Sequence, residues 1–266
     1  MMTSTIGEVV DFLHSIAPNH LQEDYDNSGL IVGKRNTAVK GVLISLDCTE
    51  EIVAEAISLG CNLIVSHHPI VFRGLKRFNG TSYVERTIIE ALRNDIAIFA
   101  IHTNLDNVKS NGVNEMICNK IGLVNLEILK PKTNEELNIG AGMIGTLSKA
   151  MSAADFLHFI KAKLDLTIIR HSSKVEKEIQ RVAICGGSGS FLLTEAKIQG
   201  ADAFITADFK YHEFFDAEDQ LMILDIGHYE SERYTIDLLF GVISNNFSNF
   251  ATHYTRVDTN PIKYYI

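Results

Sequence analysis

Three short segments of this chain carry nitrogen and oxygen donors at spacings suited to metal ions. They are Ser66-His67-His68-Pro69, His102-Thr103-Asn104-Leu105-Asp106 and His228-Tyr229-Glu230-Ser231-Glu232. Adjacent histidines on an extended chain point in different directions, so His67 and His68 suit two neighbouring ions better than one. His228 and Glu232 stand four apart, which puts both on one face of a helix. A glutamate has two oxygens and can bridge two cations. Imidazole and carboxylate donors together favour Zn, Mn, Fe, Co or Ni over Ca. Five such ligands exceed what one structural zinc takes, so the set predicts two divalent ions roughly 3.5 Å apart, as in hydrolytic two-metal sites.

An H-H-P tripeptide by itself is more often a packing pair than a ligand pair. Its placement gives it weight. Each segment follows an apolar run that reads as a strand: LIVS (63–66), IAIFAI (96–101) and LMILDI (221–226). Open α/β sheets present ligands and catalytic groups at the carboxyl ends of their strands. Residues 41–66 align without a gap on 181–206 at a constant offset of 140, and each copy reads strand, turn, amphipathic helix, glycine (Gly60, Gly200), strand. At an offset of 126, His102 falls on His228 and Asp106 on Glu232.

The expected fold is therefore α/β, with two related βαβ-containing halves and mixed sheets flanked by helices. The halves divide at 1–130, carrying His67, His68 and Asp106, and 131–266, carrying His228 and Glu232. Polar stretches at 131–138 and 172–180 read as turn and linker. A helix is expected over 6–16, where Ile6, Val9, Val10, Leu13 and Ile16 keep helical spacing. Another is expected from His228 to about residue 245.

Composition narrows the partners. With 24 Lys+Arg against 33 Asp+Glu, the net charge of -9 opposes a phosphate polymer, so nucleic acid is not an expected partner. There is no signal-peptide pattern and no apolar run of about 18 residues, so neither secretion nor membrane insertion is expected. Cys48, Cys61, Cys118 and Cys185 are widely spaced, as reduced thiols are, and a cytoplasmic location is expected.

With these blocks in view, the chain resembles the GTP cyclohydrolase I type 2 homologues, also called Nif-three-like proteins. The match runs over S-H-H-P, I-H-T-N-L-D-N and G-H-Y-E-S-E, with D-N-S-G-L near residue 26, C-G-G-S-G at 185–189 and T-A-D-F-K-Y-H at 206–212. Tyr25 and Ala207 depart from the residues common there. The chain also lacks the hundred or so residues of the middle domain some relatives carry. The resemblance implies that His67, His68, Asp106, His228 and Glu232 are the metal ligands, with Glu232 bridging. It further implies a homohexamer and GTP ring opening with formate release, a hydrolysis of cyclic amidine C–N bonds on GTP or another nucleotide. A non-enzymatic metal-binding or regulatory interaction protein is the reading from a different class.

Other residues were weighed for supporting roles. His102 and His212 are candidates for proton transfer. Lys210 and Tyr211, with Asp208, occupy the loop that the repeat aligns with His67 and His68, so they are candidates to contact substrate. Gly187 and Ser188, in a glycine-rich turn read as opening a helix, could cradle a phosphate or simply make a tight turn. Asp47, aligned with Gly187, could steady a ligand or cap the next helix. Gly140-Ala-Gly142-Met-Ile-Gly145 matches a dinucleotide fingerprint in letters but lacks the strand before it and the helix within it.

Overall fold

The computed structural model describes residues 3–133, 135–173 and 176–265. Parts of the stretches at 131–138 and 172–180 thus lie outside the described residues. In chain order the elements are α1 (Ile6–Ile16), β1 (Gly29–Val32), β2 (Gly41–Ser45), α2 (Glu50–Ser58), β3 (Leu63–Ser66), α3 (Tyr83–Arg93), β4 (Ala97–Ala100), α4 (Thr103–Asp106), α5 (Val113–Ile121), β5 (Val124–Pro131), β6 (Gly140–Met151), α6 (Ala153–Lys163), β7 (Arg170–His171), β8 (Ile179–Ser188), α7 (Leu193–Ile198), β9 (Ala203–Ala207), β10 (Met222–Asp225), α8 (His228–Glu232), α9 (Thr235–Asn246) and β11 (Ala251–Tyr254). Short 3-10 turns cover Asn19–Leu21, Ser190–Leu192 and Tyr211–Ala217.

Two compact units result. The first comprises Met1–Leu105 and Thr235–Lys263, the second Asp106–Tyr234 and Tyr264–Ile266. The sequence division at 130 followed the repeat. These units follow packing, which returns α9 and β11 to the N-terminal part.

The first unit is built on a five-stranded sheet ordered β1-β4-β3-β2-β11, in which only β1 runs antiparallel to its neighbour. Strands β2, β3 and β4 are buried along their whole length, as parallel strands between helix layers must be. Leu43, Ile64 and Ile98 pack with Ile52 and Val53 of α2 and Ile88 of α3 in one core cluster. Helix α1 starts where expected: Thr5 accepts from the Glu8 N–H, and Glu8 returns a bond to the Thr5 N–H, a capping box. Register then fixes the rim. Ser45 pairs with Ser66 and Ser66 with Ala100, so Asp47, His68 and His102 each lie two residues beyond one level of the sheet.

The second unit has a six-stranded mixed sheet ordered β5-β6-β8-β9-β10-β7, with β8, β9 and β10 parallel. Its core gathers Leu129, Ile144, Ala183, Leu192, Phe204 and Ile223. Gly60 and Gly200, 140 apart, both take left-handed backbone (φ +69° and +71°) just after α2 and α7, so the two copies end their helices alike.

Two sequence expectations need correction. The helix from His228 stops at Glu232, and a separate helix starts at Thr235. The interruption falls where Arg233 and Tyr234 both donate to the Leu164 carbonyl, at 2.6 and 2.9 Å. The glycine run at 186–189 mostly continues strand β8, which reaches Ser188, and only its last residue, Gly189, caps the 3-10 turn Ser190–Leu192 that leads into α7. There the Gly186 N–H donates to Asn114 Oδ1 and the Gly187 N–H to Ser231 Oγ, both at 2.9 Å, which ties the end of the strand to α5 and α8. Gly140–Gly145 lies within β6, a strand paired antiparallel on both sides, where no nucleotide turn forms. All four cysteines are free and buried, and among the described residues no helix is long and apolar enough to cross a membrane.

Candidate metal centre

In the first unit the rim gathers three imidazoles. The ring centroids of His67, His68 and His102 lie 5.0 to 5.3 Å apart, and one donor nitrogen from each lies within 4.8 Å of the others. Each ring is braced at Nδ1. His67 donates to the Ile101 carbonyl at 2.8 Å, His68 to Asp47 Oδ1 at 2.8 Å and His102 to Asp26 Oδ1 at 2.8 Å. Because the acceptors are a carbonyl and carboxylates, Nδ1 is the donor in each ring, which leaves Nε2 as the nitrogen available to an ion, as in metal-bound histidines.

The braces are themselves held. Asp47 Oδ2 accepts from Thr259 Oγ1 at 2.6 Å. The Asp26 side chain has no exposed surface and accepts from Thr103 N–H and Oγ1, Ser28 Oγ and the Asn27 N–H. Burial alone would raise the Asp26 carboxyl. The hydrogen bond and charge of His102, with those of Thr103 and Asn27, outweigh it and hold the group well below the usual carboxylate range.

In the second unit the donors are mostly oxygens. Glu232 is buried, and a carboxylate oxygen of Asp106 lies within 4.8 Å of one of its own. His228, half-exposed, donates from Nδ1 to Asp208 Oδ2 at 2.7 Å, and its Nε2 lies 3.1 Å from Glu232 Oε2. Gly187 makes room for this pair. A Cβ there would collide with Glu232 Oε1 and lie 3.3 Å from His228 Cε1, and its φ of +63° suits glycine. The neighbouring Cys185 thiol is pushed up by burial and then by the charges of Asp106 and Glu232, so it stays protonated.

These donors fit a divalent cation. His228 Nε2 and Glu232 Oε2 lie 3.1 Å apart, close enough for one cation to take both as ligands. Two carboxylates within 4.8 Å repel unless a positive charge offsets them. The imidazoles of the first unit carry the outer hydrogen bonds that metal-bound histidines almost always make.

The other candidates fall in the second unit. Lys210, Tyr211 and His212 are exposed on the 3-10 turn after β9, with the Tyr211 and His212 rings 5.1 Å apart. Ser188 is exposed at the end of β8, paired with Ala207. Asp208, weighed as a substrate contact, is the brace of His228. Asp47 braces His68, while Thr49 occupies the N-cap of α2.

Three functional residues escaped the sequence reading. Asp26 stands in the D-N-S-G-L motif, where a carboxylate beside Asn27 and Ser28 in a tight polar turn is a common hydrogen-bond hub. Asp225 lies inside an apolar strand, where a buried charge is itself a signal. It accepts from the Gly227 N–H (3.1 Å), the Phe209 N–H (3.1 Å) and Arg170 (3.0 Å), tying the loop of Asp208 to the start of α8. Ser231 holds Gly187 from within the H-Y-E-S-E segment, and nothing in its spacing distinguished it.

Comparison with known proteins agrees with this architecture. Residues 4–261 match the Duf34/NIF3 (NGG1p interacting factor 3) family model. A Clostridium perfringens protein named GTP cyclohydrolase 1 type 2 homolog is 36% identical over 228 residues, covering 85% of this chain and 86% of its own. A Campylobacter jejuni protein of the same name is 31% identical over 98% of this chain and 99% of its own. Among solved structures, a Bacillus cereus protein related to NIF3 superposes with a TM-score of 0.90 at 26% identity, covering all of both chains. The Staphylococcus aureus protein SA1388 does so at 0.90 and 30% identity, covering 98% of this chain and 99% of its own. The chain belongs to the DUF34/NIF3 family.

Proposed function

We propose that this chain is a dinuclear, divalent-metal-dependent hydrolase, with His67, His68, Asp106, His228 and Glu232 as ligands and Glu232 shared by both ions. The observation that carries this reading is the bracing of His67, His68 and His228 through Nδ1, to a carbonyl and two carboxylates, which commits each ring to ligation through Nε2. Divalent cations held there supply Lewis acidity and lower the pKa of a coordinated water toward neutrality.

The relatives' name, GTP cyclohydrolase 1 type 2 homolog, supports a purine nucleotide as substrate, with opening of the imidazole ring and loss of formate. The protein's own groups have separable tasks in this scheme. His102, locked to an anionic Asp26, takes up and returns a proton at Nε2. His212 is a second proton carrier at the exposed turn, where Lys210 and Tyr211 contact substrate together with Gly187 and Ser188. The protein acts as a cytoplasmic homohexamer, and light scattering that returned a monomer at micromolar concentration would refute the assembly.

The test is elemental analysis of protein purified without chelators, followed by a formate-release assay of the same sample with GTP. About two metals per chain with formate release is the expected result, and Glu232→Gln should lower both metals together. Two metals without turnover of GTP would favour a metal-binding regulatory protein, the class that the family description as an interacting factor suggests. No metal after reloading would refute the reading.

A further inference from the structure

The segment that follows the paired histidines has no role in the site just described, yet it carries the chemistry of a nucleotide cradle. Between Val71 and Ser82 the chain reads V-F-R-G-L-K-R-F-N-G-T-S, and Phe72, Arg73, Lys76, Arg77 and Phe78 are all exposed. Two exposed aromatics thus flank three cations within five residues, a local positive patch on a chain of net charge -9. Among the described residues, Arg73, Lys76 and Arg77 form no ion pair.

The segment is held at both ends. Asn27 Nδ2 donates to the Val71 carbonyl at 2.7 Å, beside the Asp26 that braces His102. At the far end Glu85 accepts from the Asn79 and Thr81 N–H groups at 3.1 and 3.0 Å, and Ser82 caps α3. Leu75, in the middle, packs against the core cluster of the first unit. Anchored in this way, the loop presents its cations and aromatics without having to order on binding. Phe72 stands nearest the imidazoles, its ring centroid 5.6 Å from that of His102 at 86°, with 50% of its surface still exposed.

We propose that this loop is the recognition element of the site and that its ligand is a mononucleotide, whose base stacks on Phe72 and whose phosphates are taken by Arg73, Lys76 and Arg77. The inference rests on the nucleotide reading above and deepens it by assigning base and phosphate contacts to the first unit. Stacking places the heterocycle beside His102, the group assigned to proton transfer. Guanidinium groups suit phosphate because their paired N–H donors match its oxygens. Of the loop's two exposed aromatics, Phe72 is the one whose ring lies against an imidazole, and one such platform beside a short cationic run fits one nucleotide rather than a strand, which needs successive stacking platforms.

The test uses full-length, metal-loaded protein and isothermal titration calorimetry with GTP, guanosine and tripolyphosphate. Phe72→Ala should weaken GTP and guanosine by about tenfold or more and leave tripolyphosphate unchanged. Phe72→Leu, which keeps the apolar bulk but not the ring, should act the same way and covers any disturbance of the loop by alanine. Arg73→Glu with Arg77→Glu should weaken GTP and tripolyphosphate but not guanosine. Metal content should stay at the wild-type value in every variant. If all variants bind GTP like the wild type, the loop assignment is overturned while the nucleotide reading stands. If metal-loaded wild-type protein binds none of the three probes, both fall. Tighter binding of a twelve-base single strand than of GTP would overturn the mononucleotide assignment.

Discussion

The two copies of the βαβ unit use equivalent positions for opposite purposes. At the first turn, one copy has Asp47, whose carboxylate braces His68, while the other has Gly187, whose missing side chain makes room for Glu232. At the end of the next strand, one copy has His68, a candidate ligand, while the other has Asp208, which braces His228. The first unit thus carries nitrogen donors held by two carboxylates and a carbonyl, and the second carries chiefly carboxylates beside one histidine. A repeated backbone fixes where side chains project, and the residue type at each place then decides whether it ligates, braces or vacates.

The sharpest way to break this comparison is to give Gly187 a side chain. Gly187→Ala adds a clash with Glu232 to an unfavourable φ, and should cost roughly 3 kcal/mol of stability in urea unfolding and displace the Glu232 carboxylate. An unchanged midpoint and metal content would mean that the space is not used. The braces come next. Asp47→Asn and Asp208→Asn should each weaken metal binding about tenfold or more by competitive chelator titration. Asp47 should matter more, because Thr259 fixes it and it is less exposed than Asp208, at 32% against 46%.

Asp26 tests whether the third imidazole is held as firmly. Asp26→Asn should cost roughly 2 kcal/mol at pH 7, since several charge-assisted hydrogen bonds weaken together. The folded carboxyl lies below its reference value of 3.8, so its contribution is present above that pH and is lost as pH falls toward the depressed folded value. The gap between wild type and variant should thus narrow in unfolding curves below pH 3.8, and a gap that widened would refute the assignment. The smallest effect expected is from Thr259→Ala, about 1 kcal/mol, with a slight loss of metal affinity through a looser Asp47.

Much of this was legible in the sequence because it depends on periodicity. The 6–16 helix, the strands of both repeats and the rim carrying His67, His68 and His102 follow from apolar spacing. What escaped depends on contacts distant in sequence. The break after Glu232 is marked by side chains bonding to Leu164, and the strand end at Gly186 and Gly187 by Asn114 and Ser231. The discontinuous first unit depends on β11 pairing with β2, with Ala251 opposite Gly41, and a weakly patterned A-T-H-Y strand gives no hint of so remote a partner. The spacing of donors could suggest ligands, whereas the braces that fix their tautomers required coordinates.

That remote pairing has a consequence for how the protein comes into being. Asp47 leaves the ribosome 212 residues before Thr259, a lag of about 10–40 s at ordinary translation speeds. During that interval β2 has an uncovered edge where β11 will later lie, and His68 has a brace that is itself unsupported. Ion capture before the C-terminal segment emerges would therefore act on an unfinished rim.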